Sequence, residues 1–173
     1  NPLHVTVSRS LLGLLFLFSG FVKGVDPVGT QYRIEDYFIA FGVEWAMPLA
    51  LTLSIILNGL EFILGGMLIL NIRTKSTIFL VLFVMLGFTV VTINDAMNNP
   101  VPDCGCFGDA LVITNWQTFY KNLVIDSFLL IVLFGYKKTG HWFTVKTEWI
   151  LTLLIVIGFI AFQVYNIRNL SVL

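Results

Sequence analysis

Five apolar stretches, separated by polar connections, constrain this chain more than anything else in it. A spanning helix needs about 20 predominantly apolar residues. The pattern predicts helices over 9–22, 46–70, 76–96, 119–136 and 149–165. The first is short unless Lys23 snorkels to the interface. Pro48 stands near the start of the second, where a missing N–H does no harm. Composition agrees. Of the 173 residues 57% are hydrophobic and only 12% charged, against roughly 25% charged in soluble domains, and mean hydropathy is +0.90. Formal net charge is zero, so no overall field draws nucleic acid, and none is expected as a partner. No cleavable leader is visible, and the first span is expected to direct insertion. The expected fold class is all-α, a polytopic membrane protein with the lipid bilayer as its first partner.

Basic residues in short connections favour the cytoplasmic side. With five alternating spans, Arg9, Arg73, Lys75, Lys137, Lys138 and Lys146 fall on one side, while the other receives Lys23, Arg33, Lys121 and Arg168 but also Asp26, Glu35, Asp36, Glu44, Asp95, Asp103 and Asp109. The N-terminus is therefore expected in the cytoplasm. The connection between the third and fourth spans and the C-terminus are expected outside, in the periplasm of a bacterial inner (plasma) membrane. The first outer connection, 24–45, opens on "DPVG", a turn signal. It continues as "QYRIEDYFIAFG", with Ile34, Tyr37, Phe38 and Phe41 at helical spacing and Arg33, Glu35 and Asp36 opposite. That is an interfacial amphipathic helix. It is either a lid on the bundle or a docking or quinone-entry element.

Both cysteines of the chain, Cys104 and Cys106, lie in the second outer connection, "NNPVPDCGCFGDALVITNW", which is rich in turn formers. A structural zinc site wants four ligands and an iron–sulfur cluster more thiolates than these. His4 and His141 belong to the opposite side, so no metal is expected. A bridge between residues i and i+2 must bring Cα atoms to about 4.4–6.8 Å, and Gly105 supplies the needed freedom. Such a ring closes almost no loop and adds little stability, but it is easily reduced. The outer compartment lets disulfides persist. Cys104 and Cys106 are therefore the candidate catalytic pair, with Asp103, Gly105, Phe107 and Gly108 as supporting residues. Asp103 and Asp109 oppose a low thiol pKa, so a cation is expected from Lys23, Lys121 or Arg33.

Glu61 lies mid-span in "NGLEFILGG" and Asp126 in "KNLVIDSF". Intramembrane carboxylates normally face the bundle interior with a partner. Lys23, Asp95, Lys121, Asp126 and Glu61 form the candidate polar cluster. It is either a proton path or polar pocket under the cysteine loop, or helix–helix glue, with a lysine on Asp126 and Glu61 protonated on Asn58 or a carbonyl. Gly59, Gly65 and Gly66 suggest close helix packing.

The segments "LFSGFVKGVDP", "LEFILGG" and "DCGCFGD" resemble the DoxX/MauE superfamily of small bacterial membrane proteins over roughly residues 8–136, with "CGCFG" the specific element. The resemblance implies a DoxX-like four-helix transmembrane bundle and a link to thiol–disulfide chemistry outside the membrane, where MauE-type proteins accompany maturation of a disulfide-rich periplasmic enzyme subunit. The expected organisation is a four-helix bundle over 1–136 with its outer loop at 97–118. A cytoplasmic turn, a fifth transmembrane helix and an outward tail follow over 137–173. That fifth span departs from the family pattern and suits docking in a larger membrane complex. The expected function is periplasmic thiol–disulfide exchange, which with only two cysteines needs an external partner, a periplasmic thioredoxin-like protein or a quinone. The rival is a non-catalytic assembly subunit of a larger membrane complex. A small transporter would rest on Glu61 and Asp126 alone, and no inverted repeat supports it.

Overall fold

The computed structural model describes residues 3–102, 105, 113–140 and 142–170. Helices make up almost all of them, with no strand among the described residues: α1 (Leu3–Val25), α2 (Pro27–Ala40), α3 (Ala50–Ile69), α4 (Thr74–Asn98), α5 (Asn115–Gly135) and α6 (Val145–Leu170). A short 3-10 helix, Glu44–Leu49, leads into α3. Five segments are long and apolar enough to cross a membrane, as the pattern predicts. The protein is a multi-pass membrane protein.

The helix ends follow local chemistry. "DPVG" is a helix start rather than a turn. Asp26 is the N-cap of α2, its carboxylate accepting from the Gly29 N–H at 2.9 Å, and Pro27 follows where no N–H is needed. Thr114 and Gln117 form a reciprocal capping box on α5. Asn99, left-handed at φ 47°, ends α4 and donates its N–H to the Asp95 carbonyl.

Four helices build the apolar core. Leu12 and Phe16 of α1, Leu64 and Leu68 of α3, Val81 and Met85 of α4, and Ile125 and Leu129 of α5 pack together. The closest seam joins α1 to α3. A Cβ on Gly20 would strike the Phe62 backbone, and one on Gly65 would strike Leu17, so small residues set the approach, as they do between membrane helices generally. Gly59 and Gly66 serve another neighbour: they face Gln163 and Ile155 of α6.

Helix α6 lies outside that core, against α3 and α1. Phe159 stacks on Phe62 at 4.1 Å and Phe162 on Phe21 at 5.6 Å. Gln163 donates to the Ile55 carbonyl at 3.2 Å and Asn166 to the Gly24 carbonyl at 2.9 Å.

One residue departs from its expected place. Arg9 does not flank the first span: α1 begins at Leu3, and Arg9 is 1% exposed within the bundle. Its guanidinium donates to the Leu68 and Ile69 carbonyls at the C-terminal end of α3. Those carbonyls carry the negative end of the helix dipole, which lets a cation be buried there. Trp142 lies over the guanidinium at 5.0 Å.

Candidate functional site

At the end of the bundle opposite Arg9, α1 and α3 face each other with polar residues. Ser54, Asn58 and Glu61 recur at helical spacing on α3, all buried, and Ser19 and Lys23 lie one turn apart on α1. Lys23 Nζ meets Glu61 Oε1 at 2.7 Å, and Ser19 Oγ donates to the other carboxylate oxygen at 2.6 Å. Both ion-pair partners are buried, Lys23 at 5% and Glu61 at 2% exposure. The seam extends upward through Asn58, which donates to the Lys23 carbonyl at 3.1 Å, and Ser54, which donates to the Pro27 carbonyl at 2.6 Å. These bonds fix the α1–α2 corner to α3.

Lys121 of α5 joins this group, close enough to Lys23 and Glu61 for direct electrostatic interaction. With Ser19, Lys23 and Glu61 it lines a cavity of about 40 Å³, large enough for a water molecule. Two amines and one carboxyl group thus share a pocket, Lys23 and Glu61 buried and Lys121 partly exposed. Phe88 closes one side, its ring 5.6 Å from Lys23 Nζ. Removing either member of the ion pair would leave an uncompensated charge in a medium of low polarity.

A second, larger cavity of about 260 Å³ opens beside the first, and Lys23 and Phe88 line both. Helix α2 forms its roof through Arg33, Ile34, Tyr37 and Phe41. The expected division of α2 needs one correction: Arg33 shares the face of Ile34, Tyr37 and Phe41 instead of opposing it. The spacing 33, 37, 41 carries that signal. Arg33 also reaches the cysteine loop. Gly105 has φ +61°, a left-handed conformation that suits glycine, and a Cβ there would lie 2.9 Å from Arg33 Cγ. Gly105 itself borders the larger cavity.

The loop is pinned at both ends. Asn115, buried at the start of α5, donates through Nδ2 to the Asp95 and Val101 carbonyls and to Asn99 Oδ1. Tyr37 of α2 donates to Asp95 Oδ2 at 2.5 Å. One asparagine therefore holds the exit of α4 against the entry of α5, and α2 is tied to the same point.

The five-residue polar cluster divides. Lys23, Glu61 and Lys121 meet. Asp95 bonds Tyr37 instead, and Asp126 faces away from them to accept from Thr89 Oγ1 at 2.7 Å. Glu61 is held by Lys23 and Ser19, not by Asn58. Cys104 and Cys106, with Asp103, Phe107 and Gly108, lie outside the described residues. No group of His, Cys, Asp and Glu suited to a metal occurs among the described residues.

Sequence reasoning missed Ser19, Tyr37, Asn115 and Asn122 as parts of this region. Polar side chains inside apolar spans are the available signal for Ser19 and Asn122, which lies one residue after Lys121 and donates to Thr92 Oγ1 at 3.1 Å. Tyr37 and Asn115 act across elements distant in sequence and carry no such local mark.

Residues 2–137 match the family model for "Methylamine utilisation protein MauE". No curated protein and no solved structure matches the chain.

Proposed function

The chain belongs to the MauE family of methylamine utilisation proteins, and from that premise we propose that it carries out thiol–disulfide exchange through Cys104 and Cys106 on the periplasmic side of a bacterial inner membrane. The N-terminus is cytoplasmic in this reading, and the bundle of α1, α3, α4 and α5 is the DoxX-like unit that carries the CGCFG loop.

The observation that carries the reading is Gly105. It sits between the two cysteines with φ +61° and packs against Arg33. A left-handed middle residue is the bend that a bridge from i to i+2 calls for. A guanidinium at that residue supplies the positive charge that favours a thiolate, offsetting Asp103 and Asp109. In the exchange, one thiolate attacks a sulfur of the partner's disulfide and expels the other sulfur, which takes up a proton. The second cysteine then attacks the mixed disulfide. This chain ends bridged and the partner ends as a dithiol, two electrons having passed between them; reversal delivers a disulfide to the partner. A thioredoxin-like periplasmic protein is the partner class that chemistry suits.

Alkylation trapping in cells tests this. Cys104→Ser or Cys106→Ser should accumulate a reductant-sensitive adduct with a partner protein, and the double variant should accumulate none. Equal gel patterns for all variants, with and without reductant, would sink the proposal.

A second reading is a non-catalytic subunit of a larger membrane complex. Helix α6 favours it: its spanning segment is 17% buried, against 28–39% for the other four, which leaves an apolar face for another helix. Full function in the double Cys→Ser variant, together with purification in a fixed ratio with other subunits, would select it.

A further inference from the structure

The larger cavity asks for a ligand of definite chemistry. Its walls are mainly apolar and aromatic, from Ile34, Tyr37, Phe41, Leu57, Phe88 and Val91, while its charged lining among the described residues is Lys23, paired with Glu61, and Arg33, 3.8 Å from Asp36. At about 260 Å³ it lies just below the range of about 300–1,000 Å³ usual for drug-sized ligands, so it takes one ring and not a whole lipid. Its rim includes Phe41 and Val91, both exposed, and Val91 belongs to the spanning helix α4. A ligand therefore enters sideways from the bilayer. Gly105 of the cysteine loop lines the same cavity, against Arg33. A flat, apolar, lipid-borne ring with electronegative oxygens meets all four conditions.

We propose that the cavity roofed by α2 binds the head of a membrane quinone, which accepts electrons from the Cys104–Cys106 dithiol. This rests on the thiol-exchange reading and names its electron acceptor. Lys23 and Arg33 are the cations that would face the quinone oxygens, and the isoprenoid tail leaves past Phe41 and Val91 into lipid. The step balances. Both S–H bonds break and one S–S bond forms; two electrons and two protons pass to the quinone, whose two carbonyl oxygens become the hydroxyls of the quinol. The direction follows: the bridged pair oxidises its partner protein, and quinone restores the bridge. Lys23, shared between the two cavities and paired with Glu61, links the quinone site to the buried ionisable group of Glu61 and Lys121.

Binding and exchange are measured separately. The Cys104→Ser/Cys106→Ser protein, in phosphatidylcholine nanodiscs, is titrated with a short-chain benzoquinone by equilibrium dialysis. Saturable binding near one per chain is expected. Val91→Trp, which fills the cavity from an exposed position, should weaken it by about tenfold or more. Wild-type protein, reduced and kept anaerobic, should convert one quinone to quinol per chain with loss of two alkylatable thiols, and Val91→Trp should slow this while still exchanging with glutathione disulfide. Absence of saturable binding, or binding unaffected by Val91→Trp, overturns the proposal while exchange with glutathione disulfide leaves the thiol reading standing. Displacement of the quinone by anionic phospholipid at equal membrane fraction also overturns it, since the site is then one for lipid head groups. Thiols that react with neither quinone nor glutathione disulfide overturn both readings.

Discussion

Helix α1 buries two cations, and they stand in opposite situations. Arg9 donates to the Leu68 and Ile69 carbonyls that end α3. No acid is needed, because the helix end itself supplies the negative partner. Lys23, in the last turn of the same helix, pairs with the Glu61 side chain, takes Lys121 as a neighbour and borders two cavities. One cation finishes a helix packing against carbonyls and an indole ring. The other borders space that the ion pair does not fill. Burial alone does not distinguish structure from site, since both are 5% exposed or less. An adjoining cavity, and a carboxylate that must be held in lipid, do distinguish them.

Substitutions sharpen this contrast in decreasing order of effect. Glu61→Leu leaves Lys23 buried without its partner and should lower stability by about 3–5 kcal/mol, read as loss of folded protein in graded denaturing detergent. Combining it with Lys23→Met should recover most of that loss, since a matched apolar pair is near neutral, but should not recover quinone binding. A double variant as unstable as Glu61→Leu would contradict the pairing. Arg9→Met should cost about 1.5–3 kcal/mol through lost charge-assisted hydrogen bonds, with thiol exchange unchanged in the fraction that remains folded. Altered exchange in that fraction would erase the distinction between the two cations. Gly20→Val should cost about 1–3 kcal/mol by forcing α1 from α3. Gly87→Ala, where an added Cβ meets nothing within 4 Å, should instead gain up to about 1 kcal/mol. The smallest effect is expected for Tyr37→Phe, about 0.6–1 kcal/mol, visible as faster proteolysis of the cysteine loop rather than as a shift in global unfolding.

The five spans are legible because hydropathy is additive along the chain and lipid imposes one length on every crossing. The misplaced helix ends show where that stops. Arg9 reads as a flanking charge until α3 offers it carbonyls, and α6 extends beyond its predicted 149–165 at both ends. The amphipathic α2 is legible from spacing, but its relation to the loop is not. Contact between Arg33 and Gly105 spans 72 positions and leaves no local pattern. The polar cluster is legible as a set of residue types and not as pairs. Lys121 and Asp126 lie five residues apart on α5, an angle of about 140°, so they cannot face one partner. That angle separates Asp126 from Lys121 on sequence spacing alone. Glu61 with Lys23 is harder, because the pairing depends on the close glycine seam that brings α1 onto α3 in one register.

The central claim is that Cys104 and Cys106 pass between dithiol and disulfide. Purified protein equilibrated in glutathione buffers of graded potential, then alkylated and weighed by mass spectrometry, measures it most directly. A single two-electron transition is expected, with both cysteines changing together and a tenfold change in ratio for each ~30 mV. Its midpoint should move to more reducing potentials in Arg33→Gln, because the guanidinium that favours the thiolate is gone. Cysteines alkylated to the same extent at every potential, or two independent one-cysteine transitions, would contradict it.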